Sequence, residues 1–213
     1  MHKYNKFSGK PILSQIINLL NRVKINRTAE KNQSDKYYKK FKTIDHLITM
    51  MSVALSGCSS LREVTGMLLA CEGRINHLGL HYFPKRSTIS DANSKRSSIV
   101  FGEIYNDLFK EYRKFLSDSI NQRAEIKNLY IADSTTISLF CDVLKGVGRN
   151  PINGKKKGGI KMHTLINSSE DVPSLVRFTS ASTHDHVFLK NLNLQNGSII
   201  VFDKGYNDYN QYL

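Results

Sequence analysis

Two short apolar runs, each closed by one acid, constrain this chain more than any other feature: Asn128-Leu-Tyr-Ile-Ala-Asp133 and Ser198-Ile-Ile-Val-Phe-Asp203. Runs of this length fit buried central strands. An aspartate at the end of such a strand is costly to bury unless its charge is stabilised. If the two strands lie side by side, the acids converge, and like charges at close range call for a divalent cation. An ion held by acids on neighbouring strands points to phosphoryl transfer on nucleic acid.

The residues between the acids support that geometry. Ser134 to Phe140 keep strand character, so Asp133 falls within a long first strand. A glycine- and lysine-rich loop over 145–159 leads to residues 160–166, which alternate apolar and polar as a half-buried strand does. Residues 167–173 are a polar turn cluster and 174–181 read as the returning strand. Residues 185–194 read as a helix, with Val187, Leu189 and Leu192 against the sheet and Thr183 or Asp185 as N-cap. The order is strand, strand, strand, helix, strand. The first three form an antiparallel meander, and the helix lets the fourth strand pair parallel to the first through a right-handed crossover. That is the order of a ribonuclease-H-like fold. The expected class is α+β: a helical N-terminal domain, then an incomplete ribonuclease-H-like mixed sheet.

Charge divides the chain at the same place. Residues 1–127 carry 22 Lys and Arg against 11 Asp and Glu, a balance of +11, whereas residues 128–213 carry 9 against 7. A basic front half joined to a near-neutral, acid-bearing back half fits a nucleic-acid grip attached to a chemical core. The expected domains are therefore 1–127, helical and DNA-binding, and 128–213, a partial catalytic domain. Cys58, Cys71 and Cys141 have no paired spacing, so neither a disulfide framework nor a zinc cluster is indicated. Reduced thiols, no signal-peptide core and no apolar run long enough to span a bilayer make a cytoplasmic protein with no membrane partner the expectation.

The front half reads as helices over 11–23, 43–55 and 61–69, with Pro11 in a first turn and Ser59 or Ser60 capping ahead of Glu63. Residues 24–42 read as a polar, lysine-rich linker. Residues 84–96 lead into an amphipathic helix carrying Ile99, Phe101, Ile104, Tyr105, Leu108 and Phe109. Within 85–96, Ser87, Thr88, Ser90 and Asn93 offer short hydrogen-bonding side chains, flanked by Lys85, Arg86, Lys95 and Arg96 for phosphates. On the second helix of a helix-turn-helix these face a groove of DNA. A capped helix start with a solvated basic face fits the same residues. Lys155, Lys156 and Lys157, followed by two glycines, form either a phosphate clamp or a solvated loop.

Six segments then follow in order: Ser59-Ser-Leu-Arg-Glu63, His77-Leu-Gly79, Pro84-Lys-Arg-Ser-Thr-Ile-Ser-Asp-Ala-Asn93, Ile131-Ala-Asp-Ser-Thr-Thr-Ile137, Gly159-Ile-Lys-Met-His163 and Phe202-Asp-Lys-Gly-Tyr206. Together they resemble the DDE transposases of bacterial insertion sequences, in the insertion-sequence-four group with an N-terminal domain of uncharacterised function. The resemblance implies a core in which two Asp and one Glu hold two divalent ions, magnesium or manganese, for in-line displacement at a phosphodiester. Asp133 and Asp203 are the two metal-binding catalytic aspartates it implies. Lys161 and His163 would lie near the cleft against the DNA backbone, although a strand lysine facing solvent is the commoner case. The implied partner is double-stranded DNA at transposon ends, with a homodimer or a pairing with full-length transposase as the assemblies left open.

The family's Glu lies well beyond the second Asp, whereas this chain ends ten residues after Asp203. Glu170 and Asp171 fall in a hairpin turn, the wrong place for a third ligand. The expectation is a truncated or fragmentary transposase, inactive alone, with an exposed edge and apolar face on its sheet. A non-enzymatic DNA-binding remnant or regulator of the full-length enzyme is the alternative. His184-Asp185-His186 suits helix capping by Asp185 better than a metal site.

Overall fold

The computed structural model describes residues 11–120, 128–138, 148–149, 157–170, 172–190 and 192–206. Contacts divide the chain into two compact units, residues 1–111 and 112–213.

Helical periodicity in the front half gives α1 (Ile12–Leu19), α2 (Arg22–Lys31), α3 (Thr43–Ser56), α4 (Leu61–Ala70), α5 (Arg86–Lys95) and α6 (Ser98–Ile120), with a 3-10 turn at Ile75–Leu78. Each contributes one apolar stripe to a shared core. Ile17, Ile25, Ile48, Leu68, Ile89 and Val100 are members from successive helices. Burying a side chain such as Ile48, which has no exposed surface, contributes about 2–3 kcal/mol. Pro11 precedes α1 as N-cap, and Gly57 ends α3 in the left-handed conformation at φ 65°. Ser60 caps α4 by accepting from the Glu63 N–H at 3.2 Å. The return bond of the expected capping box goes instead to Ser59, whose N–H lies 2.7 Å from Glu63 Oε2.

Two helical expectations need correction. The stretch 11–23 is not one helix, because the Asn21 side chain accepts from the Lys24 N–H and starts α2 afresh. The supposed linker 24–42 is therefore partly helical: α2 buries Ile25, Thr28 and Ala29. Its polar face meets acids on α6, through Lys24–Glu111 at 2.7 Å, Lys31–Glu103 at 3.1 Å and Thr28–Asp107 at 3.3 Å. Those partners lie about eighty residues away, beyond the reach of local pattern.

In the second unit, β1 (Leu129–Ser138), β3 (Lys157–Asn167) and β4 (Val172–Ser180) form the expected antiparallel meander. After α7 (His186–Leu189), β5 (Ile199–Phe202) pairs parallel to β1. The strand order β4-β3-β1-β5 is that of a ribonuclease-H-like sheet, and the class is α+β. An unexpected short strand, β2 (Gly148–Arg149), pairs with the start of β3 at Gly158 and Lys157. The β3–β4 register shifts between Leu165 and Ile166, where Pro173 on β4 has no N–H to donate. The helix expected over 185–194 shrinks to α7, four residues whose main packing contribution is Phe188.

Alternation along the strands gives the sheet two unlike faces. Ala132, Leu165, Phe188 and Tyr206 form the buried core on one side. On the other, Ile131, Ile137, Phe178, Ile199 and Val201 are each more than two-fifths exposed. No single helix among the described residues is long and apolar enough to cross a membrane. Helices α3 and α4 pass that test only as a pair bent by 94°, and Ile48, Val64 and Leu68 of that pair lie in the core.

Candidate active site

The apolar runs that open β1 and β5 pair side by side, but they are not the fully buried central strands expected: β5 pairs with β1 alone among the described strands, and Ile131, Ile199 and Val201 stay about half exposed. Their parallel register runs Leu129 with Ile199, Tyr130 with Ile200, Ile131 with Val201 and Ala132 with Phe202. The register ends at Ala132 and Phe202, the residues immediately before Asp133 and Asp203. Neighbouring strands are about 4.8 Å apart, and residues at the same level share a face. Both aspartates are exposed, and alternation along β1 puts Asp133 on the side of Ile131.

The two carboxylates are held alike. Asp133 Oδ1 accepts from the Ser134 N–H at 2.7 Å, and Asp203 Oδ1 accepts from the Lys204 N–H at 2.6 Å. Neither forms an ion pair among the described residues. Each is an exposed carboxylate with an oxygen not used in that local bond, the kind of ligand that suits a hard divalent cation. Among the described residues no group of three His, Cys, Asp or Glu comes together to hold a metal.

Sequence reasoning missed the group that ties these strand ends together. Asp185 lies 3.0 Å from Lys161 Nζ and 3.8 Å from His163 Nδ1. Burial works against its charge, but hydrogen bonds from Lys161 and Ser134, with the charges of Lys161 and His163, outweigh it and hold the carboxyl below its ordinary range. A Cβ on Gly205 would stand 3.4 Å from Asp185 Oδ2. One side chain therefore touches the residue after Asp133, the middle strand, and the turn that follows Asp203. Tyr206 feels the same cluster: burial raises its phenol, the Ser134 bond opposes this, and the charges of Asp185, Asp133 and Asp203 add to the rise.

That packing corrects three expectations. Asp185 makes no side-chain cap to α7, because its carboxylate is committed to Lys161. The Lys161 side chain, expected near DNA or facing solvent, is largely buried and also donates to the Thr183 carbonyl at 3.0 Å. His163 has no exposed surface, stacks on Phe188 at 5.0 Å and lies 2.8 Å from Thr179 Oγ1. Alternation along β3 puts both on the face opposite Asp133. Burial lowers the His163 pKa, helped by Lys161 and Arg177 and opposed by Asp185. Glu170 lies in the hairpin turn as expected, buried and paired with Arg113.

The segment 85–96 divides in the same way. Lys85, Arg86, Ser87 and Ser90 are exposed, and Thr88 is half-buried. Arg86, Ser87 and Ser90 share a groove of about 630 Å³ with Ser60, Leu61 and Arg62 at the start of α4. Lys95 is exposed and 3.6 Å from Asp91. Asn93 Oδ1 lies 2.6 Å from the buried His46 Nε2. Arg96, expected to flank the segment for phosphates, is buried against Asp35, the Ser34 and Phe41 carbonyls and the Tyr38 ring. Lys155 and Lys156 lie outside the described residues, as do Asp171 and Cys141. Lys157 is described only as the first residue of β3.

Comparison with known proteins matches both parts of the chain. Residues 8–81 match a domain of unknown function, DUF4372, and residues 125–213 match the transposase DDE domain. A curated Sinorhizobium fredii protein named "Putative transposase y4zB" is 30% identical over 126 residues, covering 59% of this chain and 33% of that protein. The chain thus spans about a third of that relative's length. No solved structure matches significantly.

Proposed function

We propose, on the premise that the chain belongs to the DDE transposases of insertion sequences, that it binds element-end DNA and contributes Asp133 and Asp203 as metal ligands for phosphodiester cleavage and strand transfer. Transposases with this domain use divalent metal, and magnesium or manganese is the proposed ion. The observation that carries the reading is the parallel β1–β5 register, which leads directly to the two aspartates.

Bound there, the metal would activate water or a 3′-hydroxyl and stabilise the leaving oxygen. The chain's part is positioning. The Ser134 and Lys204 N–H groups orient the carboxylates, and the Asp185–Lys161 pair fixes the adjoining strand and turn. The helical unit is the DNA grip in this reading, with Arg62 and Arg86 at the α4–α5 groove taking phosphates.

Gel-shift and nicking assays on the full chain with duplex DNA test it. Binding should weaken steeply with salt, and Arg86→Ala should reduce the salt slope by about one. Asp133→Asn should leave binding intact and abolish any manganese-dependent nicking. Nicking that survives Asp133→Asn overturns the catalytic assignment. DNA binding without nicking by the native chain supports the second reading, a non-enzymatic regulator.

A further inference from the structure

We propose that the turn Lys36-Tyr37-Tyr38-Lys39-Lys40 and the facing side of α5 form a binding site for an unpaired nucleotide of DNA, with the Tyr37 ring as its stacking platform. The inference rests on the reading above that DNA is the partner, and it adds a site and a nucleic-acid form which that reading does not contain.

The turn and α5 enclose a groove of about 620 Å³, with Lys36, Tyr37 and Tyr38 on one wall and Thr88, Asp91 and Lys95 on the other. Tyr37 is 90% exposed. Its backbone is left-handed at φ 68°, a conformation that a bulky residue adopts only under constraint. The constraint is visible beneath it. Asp35 Oδ1 accepts from the Thr43 N–H at 2.7 Å and the Thr43 hydroxyl at 2.9 Å, and Ser34 bonds the same hydroxyl at 2.8 Å. Arg96 lies under the Tyr38 ring, 4.2 Å from its centre. The turn is therefore built from below and holds one aromatic ring out in solvent.

The chemistry around that ring selects the ligand. Lys36, Lys39, Lys40 and Lys95 are exposed, and Lys36 lies 5.4 Å from the Tyr37 ring centre. Aromatic rings interleaved with lysines bind single strands, the rings stacking on bases while the lysines track phosphates. A paired base inside a duplex hides its faces from a protruding ring, whereas an unpaired one offers them. Thr88 and Asp91 on the far wall supply hydrogen-bond partners for a base edge.

Fluorescence anisotropy of the full chain tests the site, using a labelled mixed-sequence DNA strand, its blunt duplex and an RNA strand of the same sequence. Tyr37→Ala should weaken single-strand DNA binding about tenfold, Tyr37→Phe should retain it, and duplex affinity should be unchanged in both. Single-strand binding indifferent to Tyr37→Ala, or an equal loss on the duplex, overturns the site while leaving DNA as partner. Tyr37-dependent binding that is tighter for RNA overturns the assignment to DNA. A native chain that binds no DNA of either form overturns this site and the DNA-binding reading together.

Discussion

The Arg96 guanidinium reaches the carbonyls of Ser34 and Phe41 and the carboxylate of Asp35 while lying beneath the Tyr38 ring. A planar fork of donors makes these contacts at once, and lysine cannot reproduce them. Arg96→Ala should cost about 3 kcal/mol of stability, because Asp35 would lose its buried cation, and it should leave duplex affinity measured at low temperature unaltered. Urea denaturation and anisotropy on the same variant separate the two effects. Asp185 plays the matching part in the second unit. Asp185→Asn should destabilise it and leave Lys161 without its partner, and Asp185→Asn combined with Lys161→Met should recover part of the loss, as seen in thermal melts. Neither residue's role was legible in the sequence. Arg96 stands among phosphate-binding candidates and Asp185 between two histidines, and only tertiary packing brings each to its partner.

At the scale of elements, sequence served best where burial is decided locally. The β1 and β5 runs bury one face, with Ala132 in the core and Ile200 and Phe202 packed against it. Their pattern therefore carried the parallel pairing of residues 129–132 with 199–202. It failed where an element depends on distant partners. Helix α2 is largely polar and is secured by Ile25 below and acids of α6 alongside. Ile25→Ala should cost about 2–4 kcal/mol, whereas Lys31→Ala, at an exposed pair, should barely move the denaturation midpoint. The aromatic–lysine turn at 36–40 did carry a local signal, two tyrosines flanked by lysines, which a reading of the stretch as linker passes over.

At the scale of the whole molecule, each unit contains a buried histidine. Burial lowers the His46 pKa, with the Asn93 bond opposing and Arg96 assisting, and His163 is lowered in the same direction. An unfolded chain takes up these protons near pH 6.5 and the folded chain only below that. Their contribution to stability is therefore complete above pH about 6.5 and is lost as pH falls beneath it. Melting temperature should drop between pH 7.5 and 5.5, and His46→Gln with His163→Gln should flatten the profile. A slope unchanged in the double variant contradicts the assignment. The sheet's exposed face, with Phe178 and Val201, carries the same side of the fold as Asp133, so a partner that covers it would also border the site.

Asp133 and Asp203 are proposed to share one cation. Electron paramagnetic resonance of manganese titrated into the full chain measures that directly, without DNA or turnover. The prediction is a bound manganese signal in the native chain that is lost in both Asp133→Asn and Asp203→Asn, with folding unchanged by circular dichroism. Equal manganese binding by the native chain and both variants would contradict it.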